Sequence, residues 1–191
     1  MKGKLQNLKI AVLLCDGFEE TEMTKPREAL IKAGATVHLI TSKAKKVTAW
    51  LNGKWSKQYK IDVPLKDARP SDYDALLLPG GVLNPDKLRT DKKAVQFVES
   101  FLKNQKPIAA ICHGPITLIE TGKLKGRKLT SYHSIKTDLI NAGATWQNKS
   151  VVIDKNIITS REPKDIPAFN KAIITQFSKH SKSKKIIGKN A

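Results

Sequence analysis

The feature that most constrains the fold of this chain is a repeated alternation between short apolar runs and segments of helical pattern. Apolar runs rich in aliphatic residues occupy positions 9–14, 36–40, 75–78 and 107–111. Helical patterns lie between and after them, at 19–33, 92–103, 135–142 and 165–178. Strands that alternate with helices predict a mainly parallel sheet covered by helices on both faces. We therefore predict an α/β fold.

Two hairpins are predicted in addition to the parallel strands. The segment 47–63 is rich in β-prone residues and contains Asn52-Gly53, which is a strong signal for a type I′ turn. The second hairpin pairs residues 151–154 with 157–160. Antiparallel additions of this kind are common at the edges of parallel sheets and do not change the predicted class.

The length and composition are those of one globular domain in the cytoplasm. The chain has 191 residues, of which 40% are hydrophobic and 6% aromatic. No apolar run approaches the ~18 residues that span a bilayer, so membrane insertion is not expected. Residues 1–9 are polar and are not followed by the apolar core of a secretory signal, so we expect a cytoplasmic protein.

The net charge of +18, from 35 basic and 17 acidic residues, is high for a domain of this size. It predicts weak, non-specific and salt-dependent binding to polyanions. The lysines are scattered and no nucleic-acid-binding motif is present, so a solubilising surface is the leading interpretation. Residues 180–191 are basic and contain no acid, and we expect them to form a disordered tail after a domain of residues 1–179.

The chain has only two cysteines, Cys15 and Cys112. Two thiols cannot build a disulfide framework, and no spacing of cysteine and histidine matches a zinc site. Neither a metal nor a cofactor is therefore expected. We interpret Cys15 as a structural residue and Cys112 as a nucleophile, for the reasons that follow.

Unusual residues follow three of the predicted strands, in the segments 15–22, 79–86 and 112–115. In parallel α/β sheets, ligands bind beyond the carboxyl ends of the strands. The three segments are distant in sequence, yet this rule brings them to one edge of the sheet. The sequence therefore predicts a functional site at that edge.

Cys112 lies where a predicted strand runs directly into a predicted helix at about 113–121. A side chain on such a sharp turn projects away from the sheet, and the small neighbours Ala110 and Gly114 allow the turn to close. The helix N-terminus is expected to lower the pKa of the thiol and to favour the nucleophilic thiolate. His113 is interpreted as a residue that orients the thiol or acts as its general base, although adjacent side chains rarely meet on a helix.

Glycines and acids supply the other predicted parts of the site. Gly80 and Gly81 end a strand, where glycine lets backbone N–H groups approach a ligand closely. The N–H groups of Gly81 and His113 are candidates for an oxyanion hole. Of the acids that follow the first strand, one carboxyl is expected to reach the thiol of Cys112 and to share a proton with it.

Five segments of the chain match sequence motifs that occur in the same order in a known protein family. They read Phe18-Glu19-Glu20-Thr21-Glu22, Leu78-Pro79-Gly80-Gly81, Ala110-Ile111-Cys112-His113-Gly114-Pro115, Asp138-Leu139-Ile140-Asn141-Ala142-Gly143-Ala144 and Thr159-Ser160-Arg161. From about residue 8 to 178, the chain closely resembles the PfpI branch of the ThiJ/PfpI superfamily, which has the class I glutamine amidotransferase-like fold. The resemblance implies a flavodoxin-like three-layer sandwich with a nucleophile elbow, and a homo-oligomer of two or more chains.

The resemblance also implies roles for individual residues by motif position. Cys112 matches the nucleophile of the family and His113 the histidine beside it. Glu22 matches the carboxylic acid that contacts the nucleophile sulfur, and Glu19 matches a second acid that lines the pocket.

The remaining implied roles concern the oxyanion donors and a third catalytic group. Gly81 and His113 match the backbone donors, with Gly80 beside them. Protease-type members complete a triad with an acid from a neighbouring subunit, and Asp86 is the residue at that position. Here this chain departs from the founding protease, which has the longer glutamate at this position. Tyr132 falls where members often carry a pocket tyrosine.

Three functions remain open from the sequence. The first is a cofactor-independent glyoxalase or deglycase that protects against stress and acts on methylglyoxal or an early glycation adduct. The second is an intracellular cysteine peptidase or amidase that acts on peptides. The third is a non-catalytic redox or stress sensor, in which Cys112 is oxidised to the sulfinic level beside Glu22. All three require the same thiol.

Overall fold

The computed structural model describes residues 3–43 and 45–187, with side chains described as far as His180. The strands in this part of the chain are β1 (Lys9–Leu13), β2 (Phe18–Glu19), β3 (Thr36–Thr41), β4 (Lys46–Leu51), β5 (Lys54–Lys60), β6 (Val63–Pro64), β7 (Ala75–Leu78), β8 (Ile108–Ile111), β9 (Lys128–Leu129), β10 (Thr145–Trp146), β11 (Val151–Asp154) and β12 (Ile157–Ser160). The helices are α1 (Glu20–Lys32), α2 (Leu83–Thr90), α3 (Lys92–Lys103), α4 (Ile116–Ile119), α5 (Lys136–Asn141) and α6 (Ile166–Ile187).

Seven strands form one central sheet in the order β11-β12-β8-β7-β1-β3-β6. Every neighbouring pair in it is parallel except β11 with β12, which form the predicted hairpin. The predicted α/β class with a mainly parallel sheet is confirmed. Strands β8, β7 and β1 lie side by side near the centre, so their carboxyl ends meet at one edge.

Two hydrophobic cores lie on opposite faces of this sheet. Ile10 and Val12 of β1 belong to the core that includes residues of α1 and α6. Ala11 and Leu13, which alternate with them, belong to the core that includes residues of α3. Successive side chains of a strand point to opposite faces, so one buried apolar strand can supply both cores. The result is the three-layer sandwich that was predicted.

Local signals in the sequence set several boundaries correctly. Strand β7 and helix α3 have the predicted bounds. Asn52 and Gly53 join β4 to β5 with φ angles of 51° and 78°, and positive φ at both central residues is the requirement of a type I′ turn. This hairpin pairs through β4 with β2 and brings Trp50 towards the edge of the sheet where β1 ends.

The helices beside the predicted site differ from prediction. Residues 112–115 form a turn, and α4 covers only Ile116–Ile119 of the helix predicted over 113–121. Cys112 has a φ of 62°, in the left-handed region, and a residue in that conformation cannot be part of a right-handed helix. Helix α2 is not predicted from the sequence, because Pro85 and several polar residues hide any apolar helical pattern.

Helix α6 continues to Ile187, beyond the predicted end at residue 178 and through the first part of the segment that was expected to be disordered. No proline or glycine occurs between Pro167 and Gly188, so the sequence contains no strong helix breaker there. Residues 188–191 lie outside the described residues, and the domain boundary at residue 179 stays a prediction.

Within 3–43 and 45–187, no helix has both the length and the apolar character that a membrane span requires.

Candidate active site

The three segments that follow β1, β7 and β8 meet around one cavity. The cavity has a volume of about 460 Å³ and is lined by Gly17, Glu19, Glu22, Trp50, Gly81, Val82, Leu83, Cys112, His113, Tyr132 and Pro163. Most of the residues predicted from the sequence therefore lie on its wall, and Gly80 lies directly behind it. The exception is Asp86. The volume is within the range of small-molecule sites.

Cys112 occupies a backbone conformation that few side chains adopt. Its φ is 62°, and both of its peptide groups are held by neighbouring segments. Its N–H donates to the carbonyl of Ser160 at 3.1 Å, and its carbonyl accepts from the N–H of Tyr132 at 3.0 Å. The turn is closed by Gly114, where a Cβ would lie 2.4 Å from the carbonyl oxygen of Leu78. The strain at Cys112 is thus imposed by the surrounding fold, as is common at catalytic turns.

The expectation of a lowered thiol pKa is wrong for the free protein. Cys112 is only 8% exposed, and burial together with the neighbouring Glu22 raises the pKa of its thiol well above the ordinary value. Helix α4 has four residues and begins at Ile116, so it supplies little dipole at the sulfur. The backbone N–H groups of His113 and Gly81 favour the thiolate but do not outweigh burial. Burial and the neighbouring Glu22 therefore favour the protonated form of the thiol in the free protein.

Glu22 is fully buried beside this thiol. Its Oε2 accepts a hydrogen bond of 2.9 Å from the backbone N–H of Gly80, while Oε1 has no such partner within the described residues. Burial raises the pKa of Glu22 to about 8, and the interaction with the Cys112 thiol opposes part of that rise. A carboxyl with this pKa is mostly protonated at neutral pH and can donate to sulfur or to a bound oxygen.

Gly80 is the residue that makes this contact possible. A Cβ at Gly80 would lie 2.6 Å from Oε2 of Glu22 and 2.8 Å from both Cβ of Cys112 and the backbone nitrogen of His113. Gly81 has a φ of 75°, and a Cβ there would lie 2.4 Å from the carbonyl oxygen of Gly17. The two glycines therefore allow the acid, the thiol and the two N–H groups to share one small volume.

His113 contacts the thiol directly. Its Nδ1 lies 3.2 Å from Sγ of Cys112, and its Nε2 lies 3.0 Å from Oγ of Ser134. The contact between adjacent side chains arises because Cys112 is not helical, so the helical geometry that would separate them does not apply. Burial, and to a smaller extent His133, lowers the pKa of His113. The ring is therefore neutral at pH 7 and can accept the thiol proton.

Tyr132 and Glu19 complete the inner wall. The ring of Tyr132 stacks on that of His113 with centroids 5.1 Å apart, which restrains the imidazole from one side. Glu19 is half-buried, and burial raises the pKa of its carboxyl, while the hydroxyl of Thr21 donates to it at 3.3 Å. Both residues lie where the sequence analysis expected them, although their catalytic roles stay predictions.

Asp86 does not reach His113 within this chain. It is exposed on α2 and is not part of the cavity wall, and Ser134 contacts the imidazole nitrogen that a triad acid would approach. A contribution of Asp86 to the site of another subunit stays a prediction. Ser134 was missed in the sequence analysis, and the one signal that could have pointed to it is a hydroxyl two residues after Tyr132.

Apolar residues at the mouth of the cavity were also missed. Trp50 comes from the β4–β5 hairpin and makes an edge-to-face contact with Trp55, with ring centroids 5.2 Å apart. Val82 and Leu83 come from the start of α2 and are 63% and 38% exposed. No local pattern predicts that a hairpin between residues 46 and 60 reaches this edge, because only the pairing of β2 with β4 brings it there.

Cys15 lies outside the cavity and has a structural environment. Its N–H donates to Oδ1 of Asn84 at 2.8 Å, and its Sγ lies 3.3 Å from the carbonyl oxygen of the same residue. Burial raises the pKa of the Cys15 thiol to about 12. Cys15 has no place on the cavity wall, and its contacts link the end of β1 to α2.

Replacing Ser134 by alanine is expected to slow the alkylation of Cys112 by iodoacetamide about three- to tenfold at pH 7, which corresponds to the loss of one hydrogen bond. Without Ser134 the imidazole is held only by stacking and meets the sulfur less often in a productive orientation. The rate is measured by mass spectrometry of the Cys112 peptide. Ser134→Thr keeps the hydroxyl and should restore the rate; equal rates for Ser134→Ala and wild type would show that Ser134 does not position His113.

Comparison with known proteins agrees with this geometry. A family model described as DJ-1/PfpI matches residues 8–176. A protein of Bacillus subtilis (strain 168) named "Putative cysteine protease YraA" is 49% identical over 164 residues, which are 85% of this chain and 94% of the relative.

Solved structures in the same family have the same fold. A two-domain protein from Anabaena variabilis with DJ-1/ThiJ/PfpI-like and ferritin-like domains superposes with a TM-score of 0.83 at 36% identity. That match covers 89% of this chain and 48% of the other, so this chain spans about half of the two-domain protein. Drosophila melanogaster DJ-1beta superposes with a TM-score of 0.80 at 28% identity, over 92% of this chain and 96% of that one.

Proposed function

Because this chain belongs to the DJ-1/PfpI family, we propose that it is a cysteine-nucleophile enzyme that needs no cofactor and converts small reactive carbonyl compounds. Family membership and the name of the Bacillus subtilis relative support the broader class, a cysteine-dependent hydrolase. The narrower assignment is a glyoxalase- or deglycase-like activity that protects against stress, with an α-oxo aldehyde such as methylglyoxal as substrate.

The observation that carries the proposal is a buried carboxyl group beside a buried thiol in a small cavity. Glu22 has a pKa of about 8 and is 0% exposed, and the cavity of about 460 Å³ has Trp50, Val82 and Leu83 at its mouth. This arrangement suits an aldehyde, which needs a proton on its oxygen as sulfur adds to its carbon. A neutral His113 3.2 Å from the sulfur is suited to take the thiol proton.

The first chemical step is the addition of Cys112 to the aldehyde. The sulfur forms a bond to the aldehyde carbon as its proton passes to Nδ1 of His113. The aldehyde oxygen is bound by the N–H groups of Gly81 and His113 and takes a proton from Glu22, which completes a hemithioacetal. Glu22 is then a carboxylate and His113 an imidazolium.

The second step is an isomerisation and the third is hydrolysis. The Glu22 carboxylate removes the hydrogen of the former aldehyde carbon and returns it to the neighbouring ketone carbon, while His113 moves a proton between the two oxygens. The product is a thioester of a 2-hydroxy acid, and water releases lactate and the free thiol from it. One substrate carbon is oxidised as its neighbour is reduced, so no external oxidant is required.

A cysteine peptidase or amidase is the second candidate, and the name of the 49% identical relative favours it. The same thiol and the same two N–H groups would stabilise the tetrahedral intermediate of amide hydrolysis. In this version Asp86, which is exposed on α2, would orient His113 of a neighbouring subunit in a homo-oligomer.

The experiment that separates the candidates uses three substrates on the purified full chain. We expect methylglyoxal to be converted to lactate, measured by enzymatic lactate assay, with no cleavage of peptide-amide reporters. Cleavage of the reporters without lactate would replace the proposal with the peptidase. If neither reaction occurs and hydrogen peroxide adds oxygen mass at Cys112 alone, the redox-sensor function is favoured instead.

A further inference from the structure

A second cavity lies at the opposite end of β8 from Cys112. It has a volume of about 510 Å³ and is lined by Leu102, Gln105, Pro107, Arg127, Lys155, Asn156, Ile158, Gln176, Lys179 and His180. Pro107 precedes β8 and Cys112 follows it, so these two wall residues are roughly 17 Å apart along the strand at about 3.3 Å per residue. None of the residues on this wall belongs to the active-site cavity.

The charge on this wall is positive. Its ionisable members are one arginine, two lysines and a histidine, and no carboxylate is among the lining residues. Asp154, which is not among the lining residues, is paired with Arg127, whose Nε lies 2.5 Å from its Oδ2. Lys155 is exposed at the rim. A concave surface with this composition favours an anion.

Arg127 is held in a fixed orientation. Its Nη2 donates to the carbonyl oxygen of Asp154 at 2.7 Å and to Oδ1 of Asn156 at 3.2 Å, in addition to the ion pair through Nε. These bonds leave Nη1 without a hydrogen bond among the described residues. A preorganised guanidinium with donors to spare is well suited to a phosphate or carboxylate group.

Two residues with a left-handed backbone conformation lie at this cavity. Among the described residues, the non-glycine residues with positive φ are Asn7, Asn52, Gln105, Cys112 and Lys155. Asparagine tolerates this conformation, and Cys112 is the proposed nucleophile. The other two, Gln105 with a φ of 51° and Lys155 with a φ of 52°, both line the second cavity. Both conformations belong to local turns. Gln105 follows the end of α3, where the N–H groups of Gln105 and Lys106 donate to the carbonyls of Leu102 and Phe101, and Lys155 lies in the two-residue loop of the β11–β12 hairpin. These turns fix the backbone that carries both side chains at the rim.

We propose that this cavity binds a small phosphate monoester. Arg127 and Lys155 would hold the phosphate at the rim, and the side chains of Gln105 and Gln176 supply further polar contacts. The apolar residues Leu102, Pro107 and Ile158 form a surface for the body of the ligand. The cavity is large enough to hold a nucleoside in addition to the phosphate. A site for free inorganic phosphate would not need this volume.

The test measures binding to the full chain by isothermal titration calorimetry, with adenosine 5′-monophosphate as the probe. We expect saturable binding that is at least about tenfold tighter than that of inorganic phosphate, with no binding of adenosine. Lys155→Glu should weaken it at least about tenfold by placing a carboxylate beside the phosphate. Lys60→Glu is the matched control, because Lys60 is an exposed lysine on β5 outside this cavity and its replacement changes the net charge equally.

Three results would overturn the proposal. Equal weakening by Lys155→Glu and Lys60→Glu would assign the binding to the general charge of the surface. Absence of saturable binding at millimolar probe would remove the site. Tighter binding of a single-stranded oligonucleotide, with a salt dependence equal to several released ions, would indicate a nucleic-acid surface instead. Thermal unfolding of each variant checks that the wild-type fold is kept.

Discussion

Replacing Cys112 by alanine is expected to reduce lactate formation from methylglyoxal by at least about 10³-fold, to the level of the reaction without enzyme. Every proposed step proceeds through a bond to this sulfur, so no residual pathway remains when it is removed. Glu22 and His113 would still be present in the cavity, but they cannot form the hemithioacetal. Turnover is measured by lactate assay at saturating substrate and pH 7.

Cys15→Ala is the matched control for the loss of a thiol. Cys15 is also buried, and burial raises its thiol pKa to about 12, yet it contacts Asn84 and not the active-site cavity. We expect Cys15→Ala to keep turnover within about threefold of wild type, with a modest loss of stability from its packing. Lactate formation that survives in Cys112→Ala would exclude covalent catalysis by this residue.

Replacing Glu22 by glutamine is expected to stabilise the protein, and to do so increasingly as the pH rises. Burial raises the pKa of Glu22 from 4.5 to about 8. A group with a raised folded pKa contributes stability that is fully present below its unfolded pKa and is lost as the pH rises through its folded pKa. Between about pH 4.5 and 8, the wild type therefore loses stability that the uncharged glutamine keeps, up to about 5 kcal/mol.

Glutamine also preserves the geometry around Glu22. Its amide oxygen can accept from the N–H of Gly80, and its amide NH2 can donate towards Cys112, as the protonated acid does. The measurement is the free energy of unfolding from urea titrations at intervals from pH 4.5 to 9. A difference between Glu22→Gln and wild type that does not vary over this range would mean that Glu22 is ionised throughout.

Glu20 provides a control of opposite sign two residues away. Its carboxylate accepts from the hydroxyl of Tyr59 at 2.6 Å, and hydrogen bonds from Ser56 and Tyr59 lower its pKa. A lowered folded pKa contributes stability that is present above the unfolded pKa and is lost as the pH falls. Glu20→Gln should therefore destabilise the protein at neutral pH, and the two variants should diverge as the pH rises above about 4.5.

Much of the fold follows from local sequence patterns. The apolar run that forms β7, the amphipathic run that forms α3 and the Asn52-Gly53 turn are encoded within a few residues, and the structure has them at the predicted positions. Helix α2 was not predicted, because Pro85 and several polar residues hide any apolar helical pattern. Helix α4 is shorter than predicted, because Cys112 has a left-handed φ and the helix begins only at Ile116.

The identity of the site residues was also accessible from the sequence. Cys112, Glu22, Gly80 and Gly81 follow strands of a parallel sheet, and the rule for such sheets brings their segments to one edge. Strand order and direction are sufficient for this prediction, and the burial of the individual side chains is not required.

The protonation state of the site is a property of the tertiary structure alone. The sequence predicts a lowered pKa for the Cys112 thiol, whereas the folded protein raises that pKa. Burial destabilises the thiolate by more than the four-residue helix α4 and two backbone N–H groups stabilise it. The contact of His113 with Ser134 and the position of Trp50 likewise depend on how separate segments pack. Residue type and order determined which chemical groups meet; solvent exclusion and distance, which exist only in the folded chain, decided their charge and orientation.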